Sequence, residues 1–381
     1  MTAWEDLGKR VMSARKQVGL TQLELATAMR VDRTVVTKIE AGQRTVDSLE
    51  LARLAKALRR PIGWFVREPS ASVISRRAGR EGLIRSEDIQ LEELAQDVEQ
   101  LIGLGVLSPP TSRPTLIESL EATEQAALEA RRAAGLRLEE PAWDLIRVVE
   151  RLGLYVFVLQ LEGSEGARTD GSYIALDRGG VALVGGTGSN GRRRFTIAHE
   201  LGHHVLADQY APEWVVGAGA TERERVINAF AIHFLLPRPA IEQRWSQLQG
   251  QDDPRGATIH LTVEFGTSWS ATCAQLHRLD FITTSDFDQL SHRKPTHVDF
   301  LERELRIRDD VSAPLVPPGY AAAVIRALKK AKISSDRALE LFHGTLREQD
   351  QGAVLDSDCI RRFAERARCI QPLCSSPWFR R

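Results

Sequence analysis

A chain of 381 residues is long enough for two or three domains, since single cores seldom grow far beyond about 250 residues before a chain divides. Its 43% hydrophobic content is that of a globular protein. It has no window near the roughly 20 uncharged apolar residues of a membrane helix, and "MTAWEDLGKRV" lacks the basic-then-apolar layout of a secretory leader. The expectation is a cytoplasmic protein with no membrane segment. Formal charge is zero overall, yet residues 1–68 hold 13 Lys and Arg against 8 Asp and Glu, so that segment is +5 and the rest −5. This is the balance of a polyanion-binding head on a neutral-to-acidic body. The four cysteines, Cys273, Cys359, Cys369 and Cys374, form no C-x-x-C pair, which argues against a disulfide framework, a zinc ribbon or a redox site and leaves them reduced and structural.

From Leu7 the pattern predicts four or five short helices with tight joints. Leu7, Val11 and Ala14 recur at helical spacing, and Gly19 ends the first helix. Thr21 caps the second, with Glu24 three residues on as a capping box; Asp32 caps the third, which runs to Glu40 and stops at Gly42; Ser48 begins the fourth. Two short helices joined by "RVD", the second with basic and polar side chains outward, fit a helix-turn-helix whose second helix enters the major groove. The segments "TQLELA", "VVTKIEAG" and "SLELARLAKAL" resemble the Cro/phage-repressor (XRE) type of DNA-binding domain over about 60 residues. The resemblance implies that Thr21 and Gln22 bond a phosphate, that Arg33, Thr34 and Lys38 face base edges, and that Arg44 touches the backbone of a double-stranded operator. It also implies a homodimer on a palindromic site.

After "PIGWFV", the stretch "REPSASVISRRAGREGLIRSED" is polar and aperiodic, as a linker is. Residues 87–104 and 116–136 read as amphipathic helices separated by "SPPTSRPT". A helix through "AWDLIRVVERLG" leads to a strand at Leu154 to Leu159, and "GSYIALD" and "VALVG" read as two more. "GGTGSNG" lacks the Gly-Lys-Ser/Thr ending of a phosphate loop and is assigned as a turn.

A helix beginning at Arg192 to Arg194 then carries "HELGHH". His199 and His203, four apart, project from one face and can converge on one ion, zinc being the metal that takes two imidazoles and keeps a position open. Glu200, one residue round, can accept a proton from water as it attacks a carbonyl. Gly202 permits close approach of another backbone or a substrate strand. Phe195, Ile197, Ala198, Leu201, Val205 and Leu206 make the rest of the helix apolar, the surroundings of a buried site.

"HELGHH" followed by "ERVINAFAIHFLLP" resembles the ImmA/IrrE family of zinc metallopeptidases, over about residues 140–280, with "RRRFTIAHELGHH" and "VEFGTSWSATCAQL" included. The resemblance implies Glu224, four residues ahead of the landmark Asn228, as the third ligand; Glu222 is the competitor, about 200° away round the helix. Ile227 and His233 depart from the family's commoner Ala and Glu. His204 and His233 read as packing or ligand-supporting histidines, Asp208 as exposed or orienting a ligand, and Tyr173 as a core tyrosine rather than an oxyanion donor.

Residues 238–294 look helical, with a stretch resembling a second helix-turn-helix packing unit. "HVDFLERELRIRD" and "AAAVIRALKKAKISSDRALELFHGTL" read as further helices whose chemistry the residues do not indicate. The fold class expected is multidomain and mainly α: residues 1–68 a helix-turn-helix bundle, 69–138 linker and connecting helices, 139–294 an α+β zincin-like domain with a small sheet, 295–381 a helical C-terminal region. The function expected is a DNA-binding transcription regulator with a zinc-dependent peptidase, Glu200 its catalytic residue, acting on a repressor or other regulatory protein. The alternative is a regulator whose zincin-like domain senses a metal or ligand, or binds a partner protein, without cutting.

Overall fold

The computed structural model describes residues 3–58, 60, 62–66, 86–110, 120–160, 171–206, 218–248 and 252–346. These fall into two compact units, one within Met1–Gln96 and the other from Asp97 onward. Architecture is mainly α in both, and among the described residues only the second contains a sheet. No described helix is long and apolar enough to cross a membrane. The linker stretch 69–85, Asp208, and Cys359, Cys369 and Cys374 lie outside the described residues.

The first unit contains five helices where the sequence predicts four or five: α1 (Ala3–Gln17), α2 (Gln22–Met29), α3 (Arg33–Glu40), α4 (Ser48–Ala57) and α5 (Ile62–Val66). Gly19 and Gly42 take left-handed conformations just past α1 and α3, where a side chain would be strained. Thr21 forms the capping box with Glu24. Asp32 stands at the N-cap of α3 but its side chain makes no capping bond, and the sharp α2–α3 joint is made instead by Arg30 at φ 60°. Leu7, Val11, Ala14, Leu25, Met29, Val36, Ile39, Leu54, Trp64 and Phe65 close the core under these helices.

The second unit begins within α6 (Ser86–Gly103) and continues with α7 (Glu121–Ala133) and α8 (Leu145–Glu150). Its sheet has the order β1–β3–β2, with β1 (Leu154–Leu159) parallel to β3 (Gly180–Gly185) and β2 (Gly171–Ala175) antiparallel to β3. Every residue of β1 is buried, which explains its unbroken apolar run: a strand covered on both faces needs no alternation. Against the sheet lies α9 (Asn190–Val205), which begins at Asn190, two residues before the expected Arg192, because the Ser189 hydroxyl accepts from Arg192 N and fixes the first turn. Helix α10 (Ala218–Leu235) packs on α9, and Ile197, Ala198, Leu201, Ile227, Phe230 and Phe234 join strand residues in one core.

Helices α11 (Arg238–Leu248), α12 (Pro254–Phe265), α13 (Trp269–Arg278) and α14 (Thr284–His292) enclose a second core around Trp245, Phe265, Cys273 and Leu276. The helix expected through "HVDFLERELRIRD" is short: α15 is His297–Glu302, and Glu304 at φ 53° ends any continuation. The following chain runs back to the sheet, where Leu315 exchanges two backbone hydrogen bonds with Val158, at 2.8 and 2.9 Å, on the free edge of β1. Helix α16 (Pro318–Lys329) is then docked by Glu150, whose carboxylate accepts from Gly319 N and Tyr320 N. Helix α17 (Ser335–Leu341) closes the described fold, with the Tyr320 hydroxyl donating to Leu341 O.

Candidate functional site

The helical spacing of His199 and His203 brings their Nε2 atoms to 3.2 Å of each other. Nδ1 of His199 lies 3.0 Å from Asn228 Oδ1. An amide oxygen only accepts, so Nδ1 carries the hydrogen and the Nε2 lone pair faces the site. From α10, Glu224 Oε2 comes within 3.5 Å of His199 Nε2 and Oε1 within 4.0 Å of His203 Nε2. One donor atom from each of the three residues lies within 4.8 Å of the other two, a group that can hold a metal ion. His203 is 2% exposed and Glu224 49%, so the group is walled on one side and open to solvent on the other. Glu222, the competing carboxylate, instead pairs with Arg225 at 3.3 Å on the exposed surface.

Asn228 entered the sequence reading only as a landmark. The signal was present, since it stands four residues after Glu224 and shares its face of α10. Gly202 admits α10 and not a substrate: a Cβ there would meet Ile227 Cγ2 at 2.9 Å and Phe230 Cδ1 at 3.3 Å.

Glu200 lies beside the histidines, about 60° round α9 from His203, and is buried. Its carboxylate rests against the start of β2, where a Cβ on Gly171 would lie 2.4 Å from Oε1. Nothing local in the sequence links Gly171 to Glu200; their meeting depends on the β2–α9 packing. Tyr173 is a core residue whose hydroxyl is engaged by His204 at 3.0 Å. His233 packs in the interior with Nδ1 3.1 Å from Gln275 Nε2, and burial pushes its pKa down to about 4. His204 is also buried, which lowers its pKa.

Two of the three arginines at the start of α9, Arg193 and Arg194, are structural. Arg193 donates to Val311 O at 3.0 Å and pairs with Asp309 at 2.6 Å. Arg194, with no exposure, pairs with the equally buried Asp310, donates to Ala142 O, and lies over the Trp143 ring at 4.7 Å. Desolvation lowers the Arg194 pKa and Asp310 opposes the shift. The C-terminal segment is thereby tied to the helix that carries the histidines. Sequence reasoning missed this because the partners are 116 residues apart.

In the first unit, Arg33, Thr34 and Lys38 are exposed on α3, on the side away from the core. Thr21 is held in its capping box, and the Gln22 amide donates to Glu40 Oε2 at 2.8 Å while its oxygen accepts from Thr37 at 3.3 Å. Glu40 also receives Arg15, so one buried carboxylate ties α1, α2 and α3 together. Arg44 pairs with Glu50 at 2.8 Å.

Two family descriptions match separate parts of the chain. Residues 11–65 match a helix-turn-helix family, and residues 149–277 match an IrrE N-terminal-like domain. Comparison with curated proteins gives no match. A crystal structure of Bacillus thuringiensis PlcR, in complex with the peptide PapR7 and DNA, is 13% identical and covers 97% of this chain and 100% of its own. Its TM-score is 0.18, too low for the likeness to carry an argument about fold or function.

Proposed function

We propose that this chain, a helix-turn-helix domain joined to an IrrE N-terminal-like domain, is a DNA-binding transcription regulator that binds zinc through His199, His203 and Glu224 and hydrolyses a peptide bond in a regulatory protein such as a repressor. The observation that carries it is the convergence of those three side chains from two helices. Zinc ligands at about 2.0–2.1 Å in tetrahedral arrangement lie roughly 3.3 Å apart. The two imidazole nitrogens at 3.2 Å match that spacing, and Glu224, with Oε2 3.5 Å from one and Oε1 4.0 Å from the other, needs a shift to offer one shared ligand atom. Two imidazoles and one carboxylate are also the donor set of catalytic zinc sites, which keep a fourth position for water or substrate.

When bound, zinc supplies a Lewis acid and makes water a nucleophile at neutral pH. The chain's own residues do the rest. Asn228 holds the His199 ring in the tautomer that leaves Nε2 free. Glu200, beside the ligands but directed at Gly171, is the general base: its carboxylate accepts the proton of the attacking water and returns it to the leaving amine. Half-exposed Glu224 marks the side from which a polypeptide enters.

In the same reading residues 1–68 recognise a double-stranded operator as a homodimer, 69–138 connect, 139–294 hold the peptidase site, and 295–381 are the C-terminal region, whose described part pairs with the sheet through Leu315. Arg33, Thr34 and Lys38 face bases from α3, while Thr21, Gln22 and Arg44 meet phosphate. Purified protein is expected to contain about one zinc and to cleave a repressor substrate in a chelator-sensitive way. Glu200→Gln is expected to keep the metal and lose cleavage. A protein purified under metal-replete conditions that holds no zinc would overturn the metal centre. If Glu200→Gln controls its promoter as well as wild type, the domain acts as a sensor and not through hydrolysis.

A further inference from the structure

The residue that follows His203 is His204, and its ring lies between two glycines, one of which, Gly180, could carry no side chain without displacing it. A Cβ on Gly180 would lie 2.8 Å from Nδ1, and one on Gly153 3.5 Å from Nε2. The two glycines stand at adjacent positions on neighbouring segments, Gly180 N donating to Gly153 O at 2.9 Å just where β1 and β3 begin. Both ring nitrogens are used. Nε2 is 3.0 Å from Leu152 O, which can only accept, so Nε2 carries the hydrogen. Nδ1 is therefore the acceptor for the Tyr173 hydroxyl at 3.0 Å.

Tyr173 does a second thing. Its ring runs nearly parallel to that of His203, at 11° with centroids 6.3 Å apart. One tyrosine on β2 thus touches both histidines of the last turn of α9. On another side of the same turn, Gly202 sits flush against Ile227 and Phe230 of α10. The C-terminal turn of α9 is gripped from the sheet through His204 and from α10 through Gly202.

We propose that His204, fixed by Tyr173, Leu152 and the Gly153–Gly180 slot, is the positioning residue of the metal centre, setting the rotation of α9 that points His203 Nε2 at His199 and Glu224. This rests on the proposed metal centre. Successive residues are about 100° apart round a helix, and side-chain tips lie roughly 5–6 Å from the axis. A rotation of about 10° therefore carries the His203 nitrogen by about 1 Å, while metal sites require placement within about 0.5 Å. The apolar contact at Gly202 limits how α9 and α10 approach but does not by itself fix which polar groups must meet. A ring hydrogen-bonded at both nitrogens inside a tight slot does.

The test is cobalt(II) titration of the full-length protein, following affinity and the visible ligand-field bands, in wild type, Tyr173→Phe and His204→Gln. Tyr173→Phe removes one hydroxyl and keeps the ring beside His203. Both variants are expected to bind cobalt about 10–100-fold more weakly, the range seen when a partner outside the ligand set is lost, and with altered bands. Should His204→Gln fail to fold, Tyr173→Phe decides alone. A variant that unfolds at lower urea yet binds cobalt with wild-type affinity and bands overturns the positioning role and leaves the metal centre standing. Wild type that gives no cobalt bands removes the metal centre, and this inference with it.

Discussion

Asp310→Ala strands a guanidinium in the interior. In the intact protein Arg194 has no exposed side-chain surface and Asp310 has 1%, so water reaches neither charge. After the substitution Arg194 keeps two carbonyl contacts, Ala142 O at 2.7 Å and Phe265 O at 3.5 Å, and the face of Trp143, but no counter-charge. Breaking a buried pair from one side costs about 3–5 kcal/mol, a large part of a domain stability of about 5–15 kcal/mol. With a urea slope of roughly 2–3 kcal/mol per molar, the unfolding midpoint should fall by on the order of 1–2 M. Tryptophan fluorescence is the natural probe, since Trp143 lies between Arg194 and Arg308, at 4.7 and 4.8 Å. The variant Arg194→Met with Asp310→Leu removes both charges and should be more stable than Asp310→Ala. It should still fall short of wild type by about 1–3 kcal/mol, because Leu145 N loses its acceptor. A single variant within about 1 kcal/mol of wild type would refute the argument, as would a double variant less stable than the single.

Four further outcomes are expected. Gly171→Ala drives a methyl group to 2.4 Å from Glu200 Oε1, so the carboxylate must move; zinc content should be unchanged while hydrolysis falls at least tenfold, and equal turnover would show that Glu200 works from elsewhere. His233 titrates at about 4 in the fold against about 6.5 unfolded, so between those values the unfolded chain takes up the proton first. Stability should therefore drop as pH falls from about 6.5 toward 4, by at most about 3 kcal/mol, and urea midpoints of His233→Gln should lack that part of the slope. In the first unit, Arg33→Ala or Lys38→Ala should cost about 1–3 kcal/mol on the preferred operator and relax specificity at one position, as read by fluorescence anisotropy. Arg44→Ala should weaken binding evenly across sequences and reduce the salt slope by about one, and a sequence-selective loss there would reassign it.

What the amino-acid sequence determined by itself is whatever is decided within a turn or two of chain. The five helices of the first unit, the Thr21 capping box, the strand Leu154–Leu159 and the shared face of His199 and His203 all follow from caps, from apolar spacing and from the 3.6-residue period. Local rules stumbled where a backbone conformation overrode them, at Arg30 between α2 and α3 and at Glu304 past α15. Glu224 was named through family resemblance, since spacing alone left Glu222 in competition. Tertiary structure decided the rest: that α10 approaches α9 at Gly202 closely enough to bring Glu224 to the histidines, that Gly171 borders Glu200, and that residues 309–310 return to clamp Arg193 and Arg194. These contacting pairs stand between 21 and 116 residues apart in sequence. The free energy that joins them comes from burying surfaces and pairing charges in three dimensions, which leaves no periodic trace along one.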